Sequence, residues 1–478
     1  MPSPLDRPST QALADATPPD RDRVVDLVRV GAIAAVVVGH WLLAVVSWDG
    51  EGLSGRNLLQ VAPWTRWATW LLQVMPLFFV VGGVANSASW ASARRRAVGY
   101  PAWLHSRLDR LVRPVAGLAV TWSVGLVVAA AAGAAPGTLR TAARLVAMPI
   151  WFLAVYLAVV ATTPLMVTLH ERFGARAAVA LVVAAGACDV LAGPGGMPAA
   201  GWANFGFVWL FAHQLGFWWR DGCLGGARTG AALAAGGFAA LVVLTGPLGY
   251  PLSMVGGPGE RSNTTPPTLA LVALALAQTG LLVLVRRRLA AWAARPRVWR
   301  SVVAANGVAM TVYLWHLTAL CLATLAFLPT GLLPQPEPAS AAWWLLRPAW
   351  LLALAALLVP LVAAWSRVEA RIRPPRVSGT RPGAVGQAFA GALVVAAGLT
   401  AMALGGFPVP GRPLVLPVLG LALPAIGVAL VRDTLLRELR PRPAQGAASA
   451  RRPQSSTVSS SARASGRMPA PVKASATT

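Results

Sequence analysis

The sequence predicts an all-α integral membrane protein of about twelve transmembrane helices, and three observations carry that prediction. Of the 478 residues, 56% are hydrophobic and only 12% charged, with a mean hydropathy of +0.61, far from the composition of an ordinary soluble domain. The apolar residues gather into runs of roughly 20, the length that crosses a hydrocarbon core of about 30 Å. The arginines gather in alternate loops, the pattern expected of a chain that threads a bilayer back and forth.

In chain order, residues 1–23 (MPSPLDRPSTQALADATPPDRDR) are polar and rich in Pro, Asp and Arg, and are expected to be disordered. Spans are expected near 24–48, 67–90, 112–135, 145–169, 176–194, 201–219, 229–250, 267–285, 302–328, 343–366, 384–405 and 413–431. Arg94 to Arg96, Arg286 to Arg288 and the run from Arg367 to Arg381 all fall in loops on the side of the N-terminus. An even number of spans with both termini cytoplasmic satisfies that bias. Residues 432–478 form a basic, low-complexity tail, expected to be disordered and too short for an appended soluble domain. The first apolar run is of full span length with no small-residue cleavage site before it, so a multi-pass protein of the inner (plasma) membrane is expected rather than a secreted one.

Charge and cysteine usage exclude several classes. The net charge of +25 is carried almost wholly by arginine, Lys473 being the only lysine, which with abundant alanine reads as the codon pressure of a GC-rich bacterial genome. Cys188, Cys223 and Cys321 have neither metal-ligand spacing nor an even disulfide count, so no metal is expected. The basic tail lacks aromatic residues, which argues against a nucleic-acid partner and for anionic membrane lipids as what such arginines meet.

The first span carries the strongest functional signal. In VVDLVRVGAIAAVVVGHWLLAVV, Arg29 precedes His40 by eleven residues. Eleven steps on a helix return to within about 20° of the starting direction, so the two share one face about 16 Å apart along the axis, with Asp26 on nearly the same stripe. Ionisable groups within a span are costly and mark functional sites. Imidazole, with an unperturbed pKa near 6.5, can take a proton from an attacking hydroxyl. The bland alternative is an interhelical hydrogen bond. Asp189 and His213, also within spans, are expected to face the bundle interior in structural pairings.

Five pieces, that first span among them, occur in one order: VVDLVRVGAIAAVVVGH, MPLFFVVGG from Met75 to Gly83, WLHSRLDRLVRP from Trp103 to Pro114, WFLAVYL from Trp151 to Leu157, and VYLWH from Val312 to His316. That order resembles the integral membrane acyltransferases of acyltransferase family 3. The resemblance covers roughly residues 24–370, a ten-helix membrane domain, and leaves two additional helices within 371–431 and the tail unexplained. It implies transfer of an acyl group, most often acetyl, from cytoplasmic acyl-CoA to a hydroxyl of a carbohydrate, a lipid-linked sugar or a related acceptor. Arg29 and His40 fit the family signature of arginine, ten residues, then histidine. His40 is then the central catalytic residue, with Arg29 and Asp26 beside it. Arg107 and Arg110 match a second signature, Arg-x-x-Arg in the loop before the third span, and are expected to hold donor phosphate, for which the guanidinium fork is well suited. Arg113 continues the same spacing. His316 resembles the late-span histidine and is expected to line the site, with Tyr156 and Trp151 toward the acceptor. Pro76 with Gly82 and Gly83 is expected to kink the second span or admit another backbone. Gly-Gly stands where the family commonly has Ser-Gly, so a polar contact is missing there.

Two alternatives compete. A twelve-helix secondary transporter matches the span count, but the Arg29–His40 stripe has no counterpart around the seventh span. A polyprenol-sugar glycosyltransferase would use acids in the first external loop, where Asp49 and Glu51 stand.

Overall fold

The computed structural model describes residues 9–48, 53–256, 261–332, 334–371, 377–380 and 384–437. Asp49, Glu51 and the tail lie outside them. The chain runs through α1 (Thr10–Asp15), α2 (Arg23–Leu43), strands β1 (Ala44–Trp48) and β2 (Leu53–Asn57), the short helices α3 (Leu58–Val61) and α4 (Thr69–Leu72), then α5 (Met75–Arg95), α6 (Tyr100–Ala131), α7 (Pro136–Ala147), α8 (Ile150–Ala161), α9 (Thr163–Phe173), α10 (Ala175–Ala192), α11 (Asn204–Arg220), α12 (Ala227–Thr245), α13 (Leu269–Ala293), α14 (Pro296–Phe327) and α15 (Ala341–Arg371). A short strand β3 (Val377–Thr380), helices α16 (Ala384–Gly405) and α17 (Val415–Asp433) and strand β4 (Leu435–Arg437) complete it. Among the described residues, eleven segments are long and apolar enough to cross a membrane. With the 17-residue α11 they make the expected twelve. We call the side where α2 begins the near face and the other the far face; successive spans alternate between them.

Several expected boundaries move, each for a local reason. The third span begins at Tyr100 rather than near 112: Pro101 starts the helix, and Trp103, Leu104 and Leu108 are buried. RLDR is therefore helix and not loop. The fourth span begins at Pro136 and is interrupted at Met148–Pro149, because a proline before Ile150 cannot continue the hydrogen-bond ladder of α7. The second span is a short far-face approach, with α4 ending at Leu72, followed by α5 from Met75. Pro76 lies in the first turn of α5, where its missing N–H costs nothing, so it starts the helix instead of kinking it.

Disorder over residues 1–23 does not hold for residues 9–22. Ser9 caps α1, and the buried Ala14 packs with Trp299 and Val302 of α14. Trp299 Nε1 donates to Thr17 Oγ1 at 3.0 Å. Asp22 caps α2 through the amides of Val24 and Val25 and accepts from Trp219 Nε1 at 2.9 Å and Arg286 at 3.1 Å. A polar segment can order when its acids meet the basic near face.

The core forms where small residues let helices touch. A Cβ on Gly83 of α5 would lie 2.0 Å from the carbonyl oxygen of His213 on α11, and one on Gly216 would lie 2.1 Å from that of Val80. Glycine at both positions brings the backbones together, the close approach foreseen for Gly83. The two C-terminal helices pack on each other through Gly391, Gly398, Gly420 and Gly427 and lie against α6, α7 and α8. Phe407 stacks on Trp122 at 6.1 Å. They are part of the bundle.

Candidate active site

Site geometry starts from α2 and α14, which lie side by side. Each brings one histidine into the far half of the bundle. His40 Nδ1 and His316 Nε2 are 2.8 Å apart, with ring planes within 11°. His316 is fully buried; His40 is half-buried. Trp41 Nε1 donates to the carbonyl oxygen of His316 at 2.9 Å, locking the two helices in register.

Proton positions follow from the partners. His316 Nδ1 lies 2.6 Å from the carbonyl oxygen of Tyr313, which can only accept, so Nδ1 carries the proton. A neutral His316 then has a lone pair on Nε2, and His40 Nδ1 must donate to it. The remaining lone pair sits on His40 Nε2, to which no group among the described residues is bonded. Tyr313 itself is tied down, its hydroxyl donating to the Pro149 carbonyl oxygen at 2.7 Å. This carbonyl lies at the break in the fourth span, where it also accepts from the Phe152 amide at 3.2 Å.

The other residues of the α2 stripe sit elsewhere. Asp26 is buried and held by two arginines: Arg21 Nε and Nη2 at 2.5 and 2.9 Å, and Arg29 Nη1 at 3.2 Å. The bond to Asp26 raises Arg21 above its ordinary pKa. Asp26 and Arg29 pair as expected, but they lie about 21 and 16 Å along the helix from His40. They belong to the near-face mouth and do not touch the histidine pair.

Arg107 enters at the same depth. Its Nη2 bonds Ser89 Oγ on α5, which also accepts from Trp103 Nε1 at 3.1 Å, and its guanidinium lies 5.6 Å from the Trp103 ring centroid. Arg29, Arg110 and Tyr156 all lie within its electrostatic reach. Its Nε is buried without a partner. Arg110 is exposed at the near face. Arg113 departs from the expected basic ridge: it closes an intrahelical pair with Asp109, at 2.5 Å, so its charge is already met.

Between the arginines and the histidines lies a polar cluster that sequence reading touched only at Tyr156 and His213. Asn86 Nδ2 is 3.5 Å from Tyr156 Oη and 3.3 Å from His213 Nε2. A Cβ on Gly82 would lie 3.0 Å from Tyr156 Cε2, so the tyrosine ring fills the space a serine would need. Asn86, alone among apolar and small residues of its span, was the available signal. Trp151 turns aside, 6.1 Å from Phe205 and away from the histidines, and lines a separate cavity. Asp189 accepts from Asn204 Nδ2, Tyr250 Oη and the Leu269 amide at 2.8 to 2.9 Å, a structural pin as expected. Burial and the Asp189 charge push the Tyr250 hydroxyl up from its usual pKa. Among the described residues no cluster could hold a metal.

Comparison with known proteins gives one match. A family model described as an acyltransferase domain covers residues 22–368, from the start of α2 to the end of α15. No curated protein and no solved structure matches the chain significantly. The model's span contains both histidines, Arg107 and the whole polar cluster, and it stops before α16. On this match over most of its length, the chain belongs to acyltransferase family 3 and is a multi-pass membrane acyltransferase.

Proposed function

We propose that this enzyme moves an acetyl group from acetyl-CoA, bound at the near face, to a hydroxyl of a carbohydrate, glycolipid or related acceptor. The near face is cytoplasmic in this reading, in line with its arginine-rich loops, and the membrane is the inner (plasma) membrane. The observation that carries the proposal is the oriented pair His40–His316, whose hydrogen bonds leave one lone pair on His40 Nε2.

Arg107 and Arg110 hold the phosphates of coenzyme A, Arg107 with its guanidinium steadied by Ser89 and Trp103. The pantetheine arm then runs inward past Tyr156 and Asn86, whose polar groups can meet its amides. His40 Nε2 takes the proton of the acceptor hydroxyl as the oxygen attacks the thioester carbon. When the tetrahedral adduct collapses, the C–S bond breaks and the imidazolium returns its proton to the departing thiolate. His316 holds the positive charge in place while it exists. Arg29, paired to Asp26, adds fixed charge at the mouth.

The test is transfer and hydrolysis of radiolabelled acetyl-CoA by protein in liposomes. Wild type should turn over, and His40→Ala should lose about 10²-fold or more of the rate while still binding donor, the usual worth of a general base. Absence of donor binding and turnover in wild type, with acetyl and longer acyl donors alike, would overturn the assignment.

A further inference from the structure

Beside the site, and partly outside the family domain, α8, α11 and α16 enclose a cavity of about 520 Å³. Its walls include Trp151, Ala158, Phe205, Gly206, Ala397 and Leu404, with Thr265 at the far-face end and Thr162 deep between the helices. Helix packing normally reaches crystal-like density. Here the facing positions are alanine and glycine, and a Cβ on Gly206 would meet nothing within 4 Å. The rim consists of Trp202, Met148 and Leu404, which are 55%, 39% and 61% exposed, so the cavity opens sideways toward hydrocarbon rather than into the bundle.

We infer that this cavity is a binding site for one fatty acyl chain of a far-leaflet glycerolipid. Three features favour that occupant. The wall is apolar at membrane depth, where water cannot be held without polar partners. The run of α8 from Trp151 to Thr162 rises about 16 Å, close to half of the roughly 30 Å hydrocarbon core, so the cavity matches a chain of one leaflet and is too short for a long isoprenoid. Trp202, stacked on Phe205 at 5.7 Å, stands at the far-face rim, where an indole meets a lipid headgroup. The site gives α16 a role the acyltransferase domain alone does not supply. Met148 and Trp151 flank Pro149, so the bound chain backs the wall on which Tyr313 is anchored.

The experiment reconstitutes the full chain in phosphatidylethanolamine–phosphatidylglycerol vesicles containing a phospholipid with a diazirine midway along one acyl chain, and maps the adducts after irradiation. A second arm uses a diazirine-bearing polyprenyl phosphate. The phospholipid probe should concentrate on α8, α11 and α16 at the cavity walls. Gly206→Leu and Ala397→Trp, filling it from opposite sides, should cut that labelling several-fold, whereas Leu352→Trp, exposed on α15 and outside the cavity lining, should leave it unchanged; each variant is checked for monodispersity. Labelling spread evenly over the exposed helix surfaces, or unchanged in whichever filled variant folds, overturns the proposal. Preferential labelling by the polyprenyl probe overturns the assigned occupant. None of these readouts depends on acetyl transfer.

Discussion

Tyr313 and Pro149 meet across two spans, a hydroxyl of α14 donating at 2.7 Å to the buried carbonyl oxygen at the break in the fourth span. The same tyrosine offers its own carbonyl to His316 Nδ1. One residue thus couples the interruption of the fourth span to the proton position on the histidine pair. Tyr313→Phe removes one of the two hydrogen bonds to the Pro149 carbonyl, which also accepts from the Phe152 amide, at a cost of about 0.5–1.5 kcal/mol. A lowered melting temperature and a reduced kcat, with KM for donor held, are the expected results in purified protein.

In the proposed reaction His316 acts through His40, whose Nδ1 it holds at 2.8 Å. Replacing it with Phe removes the acceptor for His40 Nδ1, so the imidazole is free to adopt the unreactive tautomer and to rotate. Transfer should fall by about tenfold or more, within the range of general-base effects, with donor affinity unchanged. His316→Gln, whose amide oxygen can accept the same bond, should recover part of the loss. Equal activity of the Phe and Gln variants would show a packing role only.

Arg107, Arg110 and Arg113 share a spacing but not a situation. Losing a charge-assisted contact worth about 1.5–3 kcal/mol, Arg107→Ala should raise KM for acetyl-CoA on the order of 10- to 100-fold. Arg113→Ala breaks a partly buried intrahelical pair with Asp109 and should shift KM by less than about threefold, as such pairs contribute under about 1 kcal/mol. Titration of donor binding in liposomes separates the two.

Gly83→Ala drives a methyl into the His213 carbonyl oxygen, and overpacking of this kind costs about 1–3 kcal/mol or more. Gly125, exposed on α6 with open space at its Cβ position, serves as the reference, because Gly125→Ala should be neutral or stabilising by up to about 1 kcal/mol. Thermal unfolding of the two variants side by side measures the difference.

Sequence reading reached the spans through hydropathy, and the His40–Arg29 and Arg107–Arg110 pairs through ionisable residues in or beside apolar runs. It misplaced the start of α6 because the first three turns of that helix carry the arginines of the near face, and an apolar window opens only where they end. The break at Met148–Pro149 was invisible for the opposite reason: Leu145 to Met148 before it and Ile150 to Leu153 after it are all apolar, so the run looks continuous. The bond from His40 to His316 joins residues 276 positions apart, and no local pattern encodes which imidazole faces which. Asn86 was passed over because one amide scarcely alters the hydropathy of its span.

Trp122, Ala143 and one wall of α8 take part of their packing from α16 and the turn that follows it, which come after the acyltransferase domain in the chain. A nascent chain that has completed α15 carries both members of the histidine pair, Arg107 and Arg110, yet the third and fourth spans still border lipid where Gly406 and Phe407 will lie. Membrane assembly is therefore unfinished at the end of the acyltransferase domain. The α16–α17 hairpin, inserted after that domain, seals the outer flank of the broken span once its inner flank has formed.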